Sequence, residues 1–248
     1  MSPTVANLYS ALVILTGPKG SGKTYTARAI AGLHPRVLAF DPPGTGYPLP
    51  GRIAVSDEEE LEEELSRHRG RSFWCITETP DYGVKKESEG VARLAYETGN
   101  CLAVFDEAHS YMSAGSMGEE MGRLVRQSRH AQVNTLFVSP RFANLSTDVR
   151  FQADAFIVCG SMWTVRDLET LEEHCGQEFR RKAQEPVARG AHRVLGFNTA
   201  TREEFEVSIP KLREMFRLPQ FHRARPERLN GQSRGALAAW LLKGTRWE

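Results

Sequence analysis

The sequence has no long apolar run. Its apolar stretches, such as Ala11–Leu15, are far shorter than the ~20 residues that a helix needs to cross a bilayer. The first ten residues, MSPTVANLYS, also lack the basic start and the apolar core of a secretory signal. These absences argue against an integral membrane protein and predict a cytoplasmic protein without a membrane span.

Cysteine is scarce as well. The four cysteines, Cys75, Cys101, Cys159 and Cys175, form no Cys-x-x-Cys pair and have no metal-ligand spacing with histidine. A zinc site is therefore not expected. The thiols are predicted to be reduced and structural.

The composition is that of a soluble globular chain. Of the 248 residues, 40% are apolar and 25% are charged. The net charge of +1 conceals two segments of opposite sign. Residues Asp57–Glu64 read DEEELEEE, whereas Lys211–Glu248 carries nine Lys or Arg against three Glu. Such a basic segment suits a polyanionic partner, although a solvated surface helix explains it at least as well.

The first two-thirds of the chain alternates strand-like and helix-like segments, which is typical of a parallel sheet wrapped by helices. Most of the strands are almost continuously apolar, as expected where both faces are buried. The predicted strands are Ala11–Thr16, Val37–Phe40, Ser72–Thr77, Leu102–Phe105, Asn134–Val138 and Ala155–Cys159. The predicted helices lie near Lys23–Ala31, Asp57–Arg67, Glu89–Glu97, Glu119–Arg129 and Val165–Glu173.

A β-hairpin is predicted at Arg193–Ile209, where two apolar runs flank a polar turn around Asn198–Arg202. After Pro210 the chain changes to basic segments that contain proline. We therefore expect one α/β domain over residues 1–210. Residues 211–248 are expected to form a basic appendage that packs on this domain or on a neighbouring subunit.

Residues 17–24 match the phosphate-binding pattern G-x-x-x-x-G-K-[ST], the Walker A motif, in full. The motif follows an apolar strand and opens a helix, which is the context that it requires. Backbone N–H groups of such a loop point at phosphate oxygens, and the helix adds its positive end. Lys23 is predicted to contact the β- and γ-phosphates of ATP, and Thr24 to ligate Mg²⁺. The predicted nucleotide-binding residues are Gly17, Pro18, Lys19, Gly20, Ser21, Gly22, Lys23 and Thr24.

The strand Leu102–Phe105 delivers Asp106 and Glu107 to the carboxyl edge of the sheet, where open α/β sheets bind ligands. Together they form a Walker B motif, in which Asp106 is predicted to hold Mg²⁺. Glu107 is predicted to polarise the water that attacks the γ-phosphate. Nucleotide kinases and GTPases commonly lack this second carboxylate, so the pair favours hydrolysis. For Asp41, at the end of the second strand, two roles are open, an approach to the nucleotide and the cap of the next turn, and the turn is favoured.

Downstream, a helix with a basic end, Arg129-His130-Ala131-Gln132-Val133, leads into the apolar strand Asn134–Ser139 and then Arg141. Together with the two nucleotide motifs, this layout resembles the HerA/FtsK superfamily of DNA-pumping P-loop ATPases over roughly residues 11–160. The resemblance implies a RecA-like sheet of the class that carries an added catalytic Glu.

Within that superfamily the chain looks most like the genome-packaging ATPases of viruses with an internal membrane, which are compact and lack membrane anchors. The resemblance implies an ATP-hydrolysing translocase for double-stranded DNA that assembles as a homo-oligomeric ring, a pentamer or a hexamer. It also implies capsid or portal proteins as further partners, in a host cytoplasm or a virion. The loop at Ser110–Glu120 and the basic appendage are the candidate surfaces for DNA or a portal.

Ring ATPases use arginine fingers from a neighbouring subunit. The candidates are Arg126 and Arg129, followed by Arg141, with a solvated or ion-paired helix face as the alternative. The family usually ends the fourth core strand with a Gln that senses the γ-phosphate. This chain has Ser139-Pro140 there, so Ser139 is predicted to take the sensor role.

Other functions stay open at this point. HerA-like or conjugation-type DNA pumps share the same motor core, and no motif decides between ATP and GTP. A kinase would need a lid that carries arginines, for which Arg180–Lys182 is a candidate. A switch module would bind nucleotide and hydrolyse it slowly, and Pro140 would then mark a degenerate motor.

Overall fold

A computed structural model describes residues 11–32, 34, 36–44, 52–67, 72–77, 83–112, 117–188 and 193–207. The predicted basic appendage at 211–248 lies outside these residues, as do residues 113–116 of the predicted DNA-facing loop. Of the side chains at 72–77 nothing is described. The division into a domain and an appendage therefore stays a prediction.

The described residues form nine strands and seven α-helices. The strands are β1 (Leu12–Thr16), β2 (Arg36–Asp41), β3 (Arg52–Val55), β4 (Ser72–Thr77), β5 (Leu102–Phe105), β6 (Asn134–Ser139), β7 (Ala155–Cys159), β8 (Val194–Asn198) and β9 (Glu204–Val207). The helices are α1 (Lys23–Ala31), α2 (Glu58–Arg67), α3 (Val84–Thr98), α4 (Glu119–Ala131), α5 (Thr147–Gln152), α6 (Val165–Cys175) and α7 (Gln177–Gln184).

All nine strands belong to one mixed sheet in the order β3-β4-β2-β5-β6-β1-β7-β8-β9. The seven strands from β3 to β7 in this order pair in parallel, and β8 and β9 are antiparallel. β6 lies between β1 and β5, so the strands that carry the two nucleotide motifs are separated by one strand. The predicted mostly parallel P-loop sheet and the C-terminal hairpin are confirmed.

The sheet separates two apolar cores, because side chains alternate between its faces along each strand. In β1, Leu12 and Ile14 join the core beneath α2 to α7, whereas Val13 and Leu15 pack with Ile30 of α1 on the other face. No helix among the described residues is long and apolar enough to span a bilayer.

The six predicted strands are present, with bounds that differ by no more than one residue. The prediction missed β3, which has only four residues at the edge of the sheet, and the short helices α5 and α7. In α7 the buried side chains are Phe179 and Ala183, one helical turn apart. Two apolar positions in eight residues are too weak a periodic signal for sequence reasoning to detect.

His34, which follows α1, makes the stability of the fold depend on pH. Burial lowers its pKa from 6.5 to about 3. In the unfolded chain the His34 imidazole takes up a proton below about pH 6.5. In the folded chain it does so only near pH 3. The free energy of unfolding should therefore fall as the pH drops below 6.5, by about 2 kcal/mol at about pH 5.

Denaturant unfolding of the wild type and of His34→Gln, at neutral pH and near pH 5, checks this prediction. The variant should lose this part of the pH dependence, whatever its stability at neutral pH. An equal dependence in both proteins would contradict it.

Candidate active site

The loop between β1 and α1 is built on glycines in left-handed backbone conformations. Gly17, Gly20 and Gly22 have φ angles of 146°, 79° and 93°. Gly17 also leaves no room for a side chain, because a Cβ there would lie 2.2 Å from the carbonyl oxygen of Cys159. The loop can therefore curl tightly above the end of β1, as it must in order to turn its N–H groups inward.

The amino end of α1 is open to a ligand. Gly22 holds the N-cap position and supplies no side-chain acceptor to the first turn of the helix. The Ser21 hydroxyl in the same loop is buried and has no hydrogen-bond partner among the described residues. Uncapped N–H groups and a buried hydroxyl suit a phosphate group. The loop therefore fits the triphosphate that its sequence predicts.

Lys23 lies in the first turn of α1. Its ammonium donates a 2.9 Å hydrogen bond to the carbonyl oxygen of Pro18. Burial lowers the pKa of Lys23, while the carboxylates of Glu107 and Asp106 raise it. The lysine is thus folded over its own loop, within electrostatic reach of the carboxylates of Asp106 and Glu107. Thr24, the next residue, is half-buried.

The backbone of Asp106 is held by two hydrogen bonds. Its N–H donates to the carbonyl oxygen of Phe40 at 2.9 Å, and its own carbonyl accepts a 2.8 Å bond from the buried Tyr111 hydroxyl. Burial raises the pKa of Asp106 to about 6, and the nearby charges of Asp41 and Glu107 add to this effect. A bound cation would offset these costs, so the site gains from a metal ion.

The donors at this place fit magnesium. The Thr24 hydroxyl and the Asp106 carboxylate are hard oxygen ligands, and Mg²⁺ usually takes one or two such ligands plus waters and substrate phosphates. Within the described part of the chain, no group of three His, Cys, Asp or Glu side chains could hold a metal by itself. The phosphates would therefore have to supply part of the coordination.

Glu107 adopts a left-handed backbone conformation, with φ 49° and ψ 36°. Its N–H donates a 2.8 Å hydrogen bond to Oδ1 of Asp106, and its own carboxylate is half-exposed, 3.4 Å from Nδ1 of His109. Such a conformation is uncommon for a residue with a side chain and is often found at functional sites. It leaves the Glu107 carboxylate accessible while the neighbouring Asp106 is buried.

Ser139 ends β6 directly beside Thr16 of β1, which brings it to the same edge of the sheet as the phosphate loop. Its hydroxyl donates to the Arg141 carbonyl oxygen at 3.0 Å and accepts from the Arg141 N–H at 3.1 Å. The hydroxyl that was predicted to sense the γ-phosphate therefore closes the turn around Pro140.

The structure does not bring Arg126 and Arg129 to the loop. Nη2 of Arg129 donates a 2.8 Å hydrogen bond to Oδ1 of Asp154, and the other oxygen of Asp154 accepts the Leu12 N–H at 2.8 Å. Leu12 and Asp154 lie at the amino edge of the sheet, opposite the loop. Arg126 is half-exposed and 3.9 Å from Asp148. The ion pairs of both arginines are thus with acidic residues outside the loop.

One feature of the site was not predicted. Gly160, after β7, packs against the loop, since a Cβ there would lie 3.0 Å from the Cβ of Ser21. The only sequence signal was a glycine directly after an apolar strand. Asp41 does start a turn as expected, through its carbonyl oxygen, which accepts the Gly44 N–H at 2.8 Å. In addition, its charge raises the pKa of Asp106.

Comparison with known proteins supports the fold. No protein-family model matches the sequence, and no curated protein sequence is significantly similar to it. Among solved structures, the genome packaging NTPase B204 from Sulfolobus turreted icosahedral virus 2, in complex with AMPPCP, matches with a TM-score of 0.64 and 15% identity. The match covers 80% of this chain and 97% of that one.

The same viral NTPase in complex with ATP-gammaS matches with a TM-score of 0.62 and 14% identity, over 80% of this chain and 97% of that chain. B204, the DNA-packaging ATPase from Sulfolobus turreted icosahedral virus, matches with a TM-score of 0.61 and 16% identity over the same shares. At this identity the likeness shows a shared fold. The fold implied by the resemblance to packaging ATPases is confirmed.

The Arg129–Asp154 contact predicts different effects for the two partners. Arg129→Ala should lower the free energy of unfolding by at most about 1 kcal/mol, because the arginine side chain is largely exposed. Asp154→Ala should cost more, by a further ~1–3 kcal/mol, because the Leu12 N–H then loses its acceptor as well. Denaturant unfolding of both variants, with Arg126→Ala as the matched control, checks the order. Equal losses in the two variants would contradict it.

Proposed function

We propose that this protein is a Mg²⁺-dependent ATPase that hydrolyses ATP to move double-stranded DNA. The observation that carries the proposal is the convergence of Lys23, Asp106 and Glu107 beside an open phosphate loop. The two carboxylates raise the pKa of Lys23, and burial raises that of Asp106. Hydrolysis needs a carboxylate next to the predicted metal ligand in order to activate the attacking water. Phosphoryl transfer to an acceptor does not need this second carboxylate.

Each residue has a distinct part in the proposed reaction. The loop at residues 17–24 holds the triphosphate through its backbone N–H groups. Lys23 exchanges its bond to the Pro18 carbonyl for the β- and γ-phosphates. Thr24 and Asp106 would hold Mg²⁺, which would neutralise charge on the phosphates when bound. Glu107 orients the attacking water and accepts its proton.

Coupling to DNA is the finer part of the proposal. It is supported by the shared fold, because the matching B204 proteins are a genome packaging NTPase and a DNA-packaging ATPase. DNA would be held through its phosphates, so binding should be largely independent of sequence and sensitive to salt. The basic segment at 211–248 and the Ser110–Glu120 loop are the proposed contact surfaces for DNA, a capsid or a portal. We place the protein in the host cytoplasm or the virion.

A ring is proposed because the arginines of α4 face away from this chain's own loop. Arg126 is the better candidate for an arginine finger, since its guanidinium lies 3.9 Å from the carboxylate of Asp148 and is only loosely paired. Arg129 would first have to leave Asp154. A ring of five or six copies would present these side chains to the next subunit, provided that its heterologous interfaces close.

A nucleotide-gated switch with slow hydrolysis is the second candidate, and the geometry of Ser139 favours it. The hydroxyl already bonds the N–H and the carbonyl oxygen of Arg141, so a sensor role requires it to leave this turn. A kinase is less favoured. The cations of its proposed lid, residues 180–182, are ion-paired to glutamates of the same chain.

Phosphate release from ATP, with and without long double-stranded DNA, tests the function. The wild type should be stimulated by DNA, and the stimulation should disappear at high salt. Lys23→Ala should lose nucleotide binding and turnover together. Glu107→Gln should keep binding but lose about 10²–10⁴-fold in kcat, because it retains the shape of the residue without its basicity.

Two results would contradict the motor. Phosphate transfer to an added acceptor, without free phosphate, would indicate a kinase. Tight ATP binding with negligible turnover, even beside DNA, would indicate the switch.

Ser139→Ala separates the sensor role from the turn. We expect it to lower the free energy of unfolding by about 1–3 kcal/mol, because the Arg141 N–H loses its acceptor. Its effect on kcat should be smaller than that of Glu107→Gln. Thermal unfolding and steady-state hydrolysis of the same preparations check this. A loss of hydrolysis as large as that of Glu107→Gln, at unchanged stability, would instead establish Ser139 as the sensor.

A further inference from the structure

Large apolar side chains are exposed at few places on the described surface. Tyr25, Phe151, Trp163 and Val165 are 42%, 67%, 64% and 63% exposed. Trp163 and Val165 stand almost side by side in the sequence, where α6 begins. Trp is highly buried on average, and exposed apolar residues that cluster often mark a binding surface.

The segment that carries Trp163 and Val165 follows β7 at the edge of the sheet where the phosphate loop lies. β7 pairs with β1, and at its end Gly17 of the loop lies against the Cys159 carbonyl. Gly160 then packs on Ser21 of the loop. Trp163 follows Gly160 by three residues, so the Cα atoms of the two residues lie within about 11 Å of one another. At this distance, a side chain as long as that of tryptophan can reach a ligand that extends beyond the loop.

The segment that carries Trp163 is firmly anchored. The Ser161 hydroxyl donates to the Glu185 carbonyl at 2.6 Å and accepts the Val187 N–H at 3.0 Å. Met162 is buried, and its N–H donates to the Ala183 carbonyl at 2.8 Å. An exposed indole on so well held a backbone is a preorganised contact surface.

We infer that Trp163, with Val165 beside it, is the platform on which the base of the bound nucleoside triphosphate stacks. The inference rests on the proposed nucleotide site and adds the recognition of the base to it. Phosphates held by the loop leave the ribose and the base to extend beyond it, and an exposed indole offers the flat apolar face that a base needs.

Stacking also explains the absence of a base-reading motif in the sequence. Every nucleobase has a π-face, so a stacked base is held with little regard to its identity. The affinities for ATP and for GTP should therefore depend on Trp163 to a similar extent. The Tyr25 side chain is less exposed than that of Trp163 and has a partner within the chain.

Binding of Mg-ATP and of Mg-tripolyphosphate, measured by titration calorimetry, separates contacts to the base from contacts to the phosphates. Trp163→Ala should weaken Mg-ATP about 5- to 150-fold and leave tripolyphosphate unchanged. Trp163→Phe should retain most of the affinity. ATP should quench tryptophan fluorescence in the wild type, and this quenching should be lost in Trp163→Phe.

Phe151→Ala is the matched control. Phe151 is an equally exposed aromatic residue, and its ring lies 5.0 Å from that of His174 at the far end of α6. An α-helix of this length separates its two ends by about 16 Å. The control should bind both ligands as the wild type does.

Each other outcome overturns the inference in a recognisable way. Equal losses of affinity for Mg-ATP and Mg-tripolyphosphate in Trp163→Ala would overturn the platform. Trp163 would then contact a second copy of the chain or stabilise the phosphate loop. Unchanged Mg-ATP binding in Trp163→Ala, with both ligands lost in Lys23→Ala, would overturn the platform alone. Failure of the wild type to bind either ligand would overturn the proposed function together with the platform.

Discussion

The parallel pairing of β6 with both β1 and β5 is the constraint on which the site depends. Register holds Thr16 beside Ser139 and Phe105 beside Phe137, so β5 ends two residues before β1 along β6. The phosphate loop and the carboxylates of Asp106 and Glu107 therefore stand one strand apart at a common edge. Because these strands are buried on both faces, a slip of one residue would exchange the two cores and is strongly opposed.

Burial then sets the electrostatics of that edge. Lys23 and Asp106 are both largely removed from water, which disfavours the charged form of each and shifts their pKa values toward one another. Asp41 adds a second negative charge from the end of β2. A bound cation would offset the burial cost of the Asp106 carboxylate. At the amino edge, Arg129 and Asp154 form an ion pair.

Sequence reasoning recovered the features that have a local signature. Both nucleotide motifs are contained in short stretches of the chain. They are marked by the glycine pattern of residues 17–24 and by the apolar runs before Gly17 and Asp106. It did not recover contacts between distant segments, such as that of Gly160 with Ser21 or of Arg129 with Asp154, because neither leaves a periodic or spaced pattern. For Ser139, the residue type allowed a sensor, but only the turn geometry shows how the hydroxyl is used.

β7 holds β1 at both of its ends. At the amino end, the Asp154 carboxylate accepts the Leu12 N–H, and at the carboxyl end, the Cys159 carbonyl lies against Gly17. Two such fixed points on a strand of five residues leave no freedom for one strand to slide along the other. The two strands are therefore expected to move together. In the proposed motor, a movement of β7 would be transmitted through β1 to the loop at residues 17–24.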